Sequence, residues 1–362
     1  MLDYKNPKLV VDRATLEAGK IAWRSPSNLA LIKYWGKHGR QLPRNASISF
    51  TLESAFTETL LEYSPKAANE DEAIALEFLF AGEPNEAFAA KVKTFLSSIT
   101  DIFPFLKQLN LKINSANSFP HSSGIASSAS SMSALALCLC TLESNLFGTL
   151  EEDEAFDQKA SFIARLGSGS ASRSIYPKLA VWGTTRAVEG SSDLFAVPYT
   201  QVDKVFDSFH DDILIVSAGE KSVSSRAGHA LMEQNIYADA RYQQARLRME
   251  QLLEAMQAGD LQTFGQIVED EALTLHAMMM SSHPSYLLML PNTIEIIQRI
   301  RAFRADSKHP IYFSLDAGPN VHLLYPEHII HEVRPFIDEQ LAPLCQSNSY
   351  LPDWVGEGPE EL

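Results

Sequence analysis

A carboxylate, two lysines, an arginine and a cluster of hydroxyls are concentrated in four short stretches of this chain. Together they could hold a polyphosphate beside a small anionic substrate and move a phosphoryl group. The first stretch reads Asn28-Leu29-Ala30-Leu31-Ile32-Lys33-Tyr34-Trp35-Gly36-Lys37. Its lysines lie four apart beside two aromatics, a pattern that equally describes a solvated pair next to core residues. The second, Pro120-His121-Ser122-Ser123-Gly124-Ile125-Ala126-Ser127-Ser128-Ala129, leads into an apolar periodic segment. A helix amino end offers unpaired N–H groups and a positive dipole end, and small residues let a phosphate approach the backbone. Ser127 or Ser128 could donate a hydroxyl or ligate Mg²⁺, although an ordinary serine-capped helix looks the same. The third, Gly167-Ser168-Gly169-Ser170-Ala171-Ser172-Arg173, adds backbone amides, hydroxyls and a planar guanidinium fork suited to a carboxylate. On composition alone it also reads as a flexible surface loop. The fourth, Asp316-Ala317-Gly318-Pro319-Asn320, sets a carboxylate at the end of an apolar strand, where it could orient or deprotonate a hydroxyl. Aspartate at a turn is otherwise unremarkable.

The elements that must position these groups alternate irregularly. Short strands are predicted at Leu29–Ile32, Ile48–Leu52, Thr57–Glu62, Ala75–Phe80 and Leu109–Ile113, with a helix from about Asn85 to Ser98. Met132, Leu135, Leu139, Leu142 and Leu146 form one apolar stripe, so a helix follows the serine-rich segment. Glu151–Leu166 is also helical, and Leu179–Thr184 and Leu194–Pro198 read as a strand pair. After a strand at Ile213–Ser217 come long helices: about Ser224 to Met256 with a break near Asn235, Leu261–Met280 and Leu288–Arg304. Strands Ile311–Leu315 and Val321–Tyr325 flank the aspartate turn, and a last helix covers roughly Pro326–Leu341. Hairpin-like pairs favour an α+β fold over a doubly wound parallel sheet. The expected organisation is an N-terminal extension over 1–18 with strand character at Leu9-Val10-Val11, a lobe over 19–199, a more helical lobe over 200–346 and a loosely ordered acidic tail over 347–362.

Composition bounds the function. The net charge is −15 over 362 residues, which argues against general binding of nucleic acid or anionic membranes. An anionic substrate is compatible with it, because Lys33, Lys37, Arg173 and Arg226 fall inside the candidate motifs. Cys138, Cys140 and Cys345 read as buried thiols rather than a disulfide framework. The amino terminus shows no basic segment followed by an apolar one, and no apolar run approaches the ~20 residues that span a bilayer, so the expected location is the cytoplasm. Walker A, dinucleotide-binding, HExxH, CxxC and Gly-x-Ser-x-Gly patterns are all absent from the sequence.

Taken in order, the four stretches resemble diphosphomevalonate decarboxylases, a branch of the GHMP kinase superfamily. Residues 28–37 are similar to the family's Asn-Ile-Ala-x-Ile-Lys-Tyr-Trp-Gly-Lys string, and Leu42-Pro43-Arg44-Asn45-Ala46-Ser47-Ile48-Ser49 follows as in the family. Residues 120–129 resemble the Pro-x-x-x-Gly-Leu-x-Ser-Ser-Ala loop that grips ATP phosphates, and 167–173 resemble Gly-Ser-Gly-Ser-Ala-x-Arg-Ser. Ser222-Val223-Ser224-Ser225-Arg226-Ala227-Gly228 is similar to a segment of the bacterial members in which a Ser-Arg pair binds the diphosphate. The chain departs from the pattern at Ile125, at His121, at Ser130-Ser131 and at Pro177-Lys178.

The resemblance spans about 20 to 326 and implies a two-lobed GHMP kinase fold, with mixed and antiparallel sheets and helices around one cleft. It implies ATP and Mg²⁺, a phosphorylated mevalonate as substrate, and Asp316, Lys33 and Arg173 as catalytic residues, with Arg173 engaging the carboxylate that leaves as CO₂. Substrate contacts would come from Ala30, Tyr34, Trp35, Gly36, Lys37, Ser168, Gly169, Ser170, Ala171, Ser172, Ser225 and Arg226. Nucleotide contacts would come from Ser123, Gly124, Ile125, Ala126, Ser127 and Ser128. The expected reaction is ATP-dependent decarboxylation of mevalonate diphosphate to isopentenyl diphosphate. A kinase or decarboxylase for a differently phosphorylated mevalonate, and a catalytically silent binding protein, are the alternatives. A homodimer stays open beside a monomer.

Overall fold

A computed structural model describes residues 3–67, 71, 73–119, 127–219, 223 and 225–362, without the side chains of Ser225 and Arg226. Along the chain come β1 (Gly19–Ala30), the hairpin β2–β3 (Lys37–His38 and Leu42–Pro43), β4 (Ser47–Pro65), β5 (Ala75–Phe80), β6 (Glu83–Pro84) and α1 (Glu86–Ser97). Next are β7 (Leu109–Asn117), α2 (Ser127–Phe147), α3 (Asp153–Gly167), β8 (Leu179–Trp182) and β9 (Ala196–Pro198). The remainder comprises β10 (Phe209–Leu214), α4 (Ser225–Leu231), α5 (Ala238–Ala258), α6 (Leu261–Met280), α7 (Pro291–Ser307), β11 (Tyr312–Ser314), β12 (Val321–Pro326), α8 (Ile330–Phe336), β13 (Tyr350–Leu351) and β14 (Glu360–Glu361).

The large mixed sheet runs β14-β1-β4-β7-β5-β6, with β8 and β9 added beside the first half of β4. Among the described residues, only β5 and β7 pair in parallel within it. From Ala55 to Leu61, β4 alternates buried and half-buried residues, as expected of a strand with one face on the core. Its first six residues, Ser47–Leu52, are buried throughout because both faces are covered. One face packs under α2 and α3, where Leu135, Leu139, Leu142 and Ile163 meet Leu61, Leu111 and Ile113. Helix α2 lies close to the sheet through small hydroxyl pairs, Ser25 with Ser133 at 2.5 Å and Thr57 with Ser130 at 2.6 Å. Ser130 therefore belongs to the packing of α2.

A second, antiparallel sheet has the order β11-β12-β10-β13. Between the two sheets, Phe50 of β4 packs against Phe206, Phe209 and Phe264, with ring centroids 5.9–6.4 Å apart. This aromatic cluster, with Met249 and Leu252 of α5, fuses the two halves into one core. The helical run breaks at Asn235, as its sequence suggests: the Asn235 side chain accepts the backbone N–H of Tyr237 at 2.9 Å and competes with helix continuation.

Two expectations are corrected. Leu9-Val10-Val11 forms no strand; Leu9 is buried and the N–H of Val11 is taken by the Gln108 side chain. The acidic tail is not loose. Tyr350–Leu351 pairs with β10, Glu360–Glu361 pairs with β1, and buried Asp353 accepts the backbone N–H groups of Glu53, Ser54 and Ala55 at 2.7–2.9 Å. Among the described residues no helix is long and apolar enough to cross a membrane. Cys138, Cys140 and Cys345 are free and buried, and burial pushes their thiols up.

Candidate active site

The cleft is assembled from the end of β1, the residues after it, the amino end of α2, the segment after α3 and the turn after β11. Pairing of β1 with β4 shifts register between Pro26 and Asn28, a bulge that re-aims the strand where proline lacks a ladder donor. Asn28 then faces the segment 169–175, donating to the Ser170 carbonyl at 3.1 Å and the Ser174 hydroxyl at 2.8 Å. Past β1 the chain turns tightly. Ser47 Oγ donates to the Ile32 carbonyl, and the Asn45 amide donates to the Lys33 carbonyl. Gly36 has φ of +122°, and a Cβ there would lie 2.1 Å from the Tyr242 hydroxyl, so only glycine fits.

Lys33 and Asp316 meet across this cleft, Nζ to Oδ1 at 2.9 Å, with the lysine side chain 2% exposed and the aspartate 23%. The turn that carries Asp316 is fixed at its far end. Asn320 exchanges two hydrogen bonds with the Ser217 backbone at 3.0 and 3.1 Å, and Thr293 donates to the Pro319 carbonyl at 2.6 Å. The buried Lys33 is thus held by an ion pair whose carboxylate still reaches solvent, an arrangement that keeps the Asp316 side chain oriented.

Arg173 lies in a short 3-10 helix, Gly169–Ile175. Its Nε donates to Ser49 Oγ at 2.9 Å and its Nη2 to Asn28 Oδ1 at 3.2 Å. Nη1 is buried without a hydrogen-bond partner among the described residues. Burial lowers the guanidinium to about 10, against the opposing pull of Tyr34 and Asp316, so it is charged at neutral pH. A fixed, desolvated cation with one spare donor at a cleft wall is a receptor for an anion.

Empty space of about 690 Å³ is bordered by Ala30, Lys33, Tyr34, Trp35, Lys37, Ser128, Ser168, Ser170, Arg173 and Asp316. These expected residues are brought together. Gly169, Ala171 and Ser172 are not, because the 3-10 helix turns them inward. A Cβ on Gly169 would sit 2.5 Å from Trp182, Ala171 is fully buried, and Ser172 donates to the Gly169 carbonyl. Gly36 contributes its backbone, donating to His229 rather than facing the cleft. Ser127 borders the neighbouring pocket and not this one. Ser123, Gly124, Ile125 and Ala126, and the side chains of Ser225 and Arg226, lie outside the described residues.

Ser128 borders both spaces and lies 3.2 Å from Ser168, hydroxyl to hydroxyl. The adjoining pocket, about 760 Å³ of empty space, is walled by Phe78, Phe80, Phe88, Val92, Ile113 and Met132. An apolar pocket therefore abuts the amino end of α2, and beyond Ser128 lies the polar cleft. Among the described residues no set of three His, Cys, Asp or Glu could cage a metal. The Ser128 hydroxyl and the Asp316 carboxylate at the cleft are hard oxygen donors, which suit Mg²⁺ carried by a nucleotide.

Sequence reasoning missed His229, which also borders the cleft, and the buried group beneath Lys33. There, Glu271 accepts the N–H of Lys33 and bonds from Arg241 and Arg248, while Arg241 also donates to the Lys33 carbonyl. The partners lie far apart in sequence, and no local spacing signals them.

The fold and cleft are those of the GHMP kinase class, with the amino end of helix α2 bordering the cleft at Ser128. The chain belongs to the diphosphomevalonate decarboxylase family. The model for the diphosphomevalonate decarboxylase-like N-terminal domain matches residues 25–195, and that for the mevalonate 5-diphosphate decarboxylase C-terminal domain matches 212–354. The diphosphomevalonate decarboxylase of Candida albicans is 28% identical over 340 residues, covering 91% of this chain and 89% of that one. The crystal structure of mevalonate diphosphate decarboxylase from Staphylococcus aureus superposes with a TM-score of 0.81 at 26% identity, covering 97% of this chain and 100% of that one. A structure described as MDDEF in complex with MVAPP, AMPPCP and magnesium superposes with a TM-score of 0.80 at 28% identity, covering 95% and 99%.

Proposed function

We propose that the protein converts (R)-5-diphosphomevalonate and ATP to isopentenyl diphosphate, ADP, phosphate and CO₂. One observation carries the reading: Arg173, charged and buried with Nη1 unpartnered among the described residues, borders the same cleft as the Lys33–Asp316 pair. A kinase needs the aspartate and the cation. A decarboxylase also needs an anchor for the carboxylate that departs, and Arg173 supplies it.

The adenine lies in the aromatic slot beside α2, and the phosphates run past Ser128 toward Lys33. The Ser127 or Ser128 hydroxyl would hold magnesium together with the nucleotide's phosphates, and the ion would supply electrostatic neutralisation. Asp316 orients the tertiary hydroxyl and takes its proton as the oxygen accepts the γ-phosphoryl group and ADP leaves. The carbon–oxygen bond to the new phosphate then breaks, and phosphate departs with the electron pair. The bond to the carboxylate breaks next, its pair becomes the carbon–carbon double bond, and CO₂ is released. Arg173 holds the carboxylate in line for that cleavage, and Lys33 offsets charge on the transferring group. Lys37, Tyr34, Ser168, Ser170, Ser225 and Arg226 bind the rest of the substrate.

We also assign the reaction to the cytoplasm, and the ATP-binding and second lobes to 19–199 and 200–346. The deciding experiment incubates the protein and ATP with mevalonate and its 5-phosphate, 5-diphosphate and 3,5-bisphosphate, recording ADP and CO₂ separately. Equal ADP and CO₂ from the 5-diphosphate is the expected result. ADP with a stable phosphorylated acid and no CO₂ from any of them would sink the decarboxylase reading.

A further inference from the structure

His229 has no part in the mechanism above, yet it stands at the cleft wall in a fully specified state. Helix α4 carries it over the turn Tyr34-Trp35-Gly36, and the ring stacks on Tyr34 at 4.9 Å and tilts against Trp35 at 4.4 Å between centroids. The preceding residue has to be small: a Cβ on Gly228 would lie 2.4 Å from Trp35 and 2.7 Å from the Tyr286 hydroxyl. Wedged this way, the imidazole cannot swing aside. Its Nδ1 accepts the backbone N–H of Gly36 at 2.9 Å. A ring nitrogen that accepts carries no proton, so the proton of the neutral ring is on Nε2. That N–H has no acceptor among the described residues, and His229 borders the cleft within which Lys37 also lies.

Lys37 reaches the same region, its Nζ 5.8 Å from the Tyr34 ring centroid and donating to Gln41 Oε1 at 2.7 Å. On the proposed reading Lys33, Asp316 and Arg173 serve the reacting groups, which leaves Lys37 and His229, both beside Tyr34, for the substrate's phosphates. A neutral, immobile N–H there differs from a lysine: it rewards an anionic oxygen at one position without attracting every anion. We infer that His229 is a substrate-binding residue whose Nε2–H donates to a phosphoryl oxygen of the substrate's diphosphate and sets the affinity for that group. The inference rests on the proposed decarboxylase reading and deepens it.

The test compares His229→Leu, which removes the donor at similar volume, with His229→Gln, whose amide nitrogen can replace Nε2. In the Leu variant the KM for diphosphomevalonate should rise about ten- to a hundredfold, the loss expected for one hydrogen bond to a charged group. Its kcat and its KM for ATP should stay within about twofold, because the bond is made equally in ground and transition states. The Gln variant should recover most of the KM. In wild-type protein labelled with ¹⁵N-histidine, the Nε2–H resonance of His229 should move on adding diphosphomevalonate without nucleotide, and not on adding ATP alone. A Leu variant with wild-type KM, or a resonance that answers only to ATP, would overturn the inference. Wild-type CO₂ release in the same assay separates the two readings. Its absence sinks the function, whereas its presence with an unchanged Leu variant sinks only the role of His229.

Discussion

The backbone N–H of Lys33 donates to the carboxylate of Glu271, 238 residues further along the chain, at 2.9 Å. That carboxylate is fully buried and is also gripped by Arg241 and Arg248, and Arg241 returns to the Lys33 carbonyl. Both polar groups of one peptide segment are thus fixed by α5 and α6, and the ammonium of Lys33 is delivered to Asp316 from a rigid base. Replacing Glu271 with Ala leaves Arg241 buried without its counter-charge. Urea unfolding should show a loss of about 3–5 kcal/mol, the usual cost of breaking a buried pair. A loss below about 1 kcal/mol would show that the arginines find other partners.

Asp316→Asn keeps the shape of the turn and removes the base. Turnover should fall by orders of magnitude while ATP and substrate affinities stay within several-fold. Equilibrium binding and single-turnover kinetics would check this, and near-normal turnover would remove the carboxylate from the mechanism.

At Arg173, lysine retains charge and loses the fork that reaches Ser49, Asn28 and the cleft together. Arg173→Lys should release CO₂ at least about a hundredfold more slowly than wild type, the scale of a lost charged donor aimed at the reacting group. Binding of ATP alone should be unchanged. Parallel ADP and CO₂ time courses measure both, and a variant at wild-type rates would displace Arg173 from the carboxylate.

The stretches that meet at the cleft were legible through their resemblance to a known family, each being short and continuous: Lys33, Lys37, Arg173 and Asp316 could be named before the structure brought them to one space. What faces the cleft within 168–172 was not, because a run of small residues does not reveal that a 3-10 helix will turn Ser172 and Ala171 inward. His229 and Glu271 were hidden for another reason. Each acts on the turn after β1 through contacts 193 and 238 residues long, and a lone histidine or glutamate on a helix has no spacing to betray it. The tail misled because acidic and glycine-rich composition reads as loose, whereas one buried aspartate and two short strand pairings are enough to seat it.

His229 also predicts a pH dependence. Burial first, and then the charge of Lys37, hold its imidazole well below the ordinary 6.5. In acid the unfolded chain binds this proton before the folded one does. The residue's contribution is therefore intact above about pH 6.5 and is lost as pH falls toward the folded pKa. Stability measured by urea from pH 5 to 8, as wild type minus His229→Gln, should rise with pH through that window while other titrations cancel. A flat difference would mean that the folded ring titrates normally.

The pairing of Glu360–Glu361 with β1 has a consequence for synthesis. Strand β1 precedes the other strands of the sheet in the chain, yet its outer edge, at Ala22 to Arg24, is covered by residues 360 to 362. For the interval in which the intervening residues are made, that edge presents open backbone donors and acceptors to any neighbouring nascent chain. Closure of that edge thus waits on residues 336 positions further along the chain, and a chain cut short before residue 360 would leave β1 uncovered there.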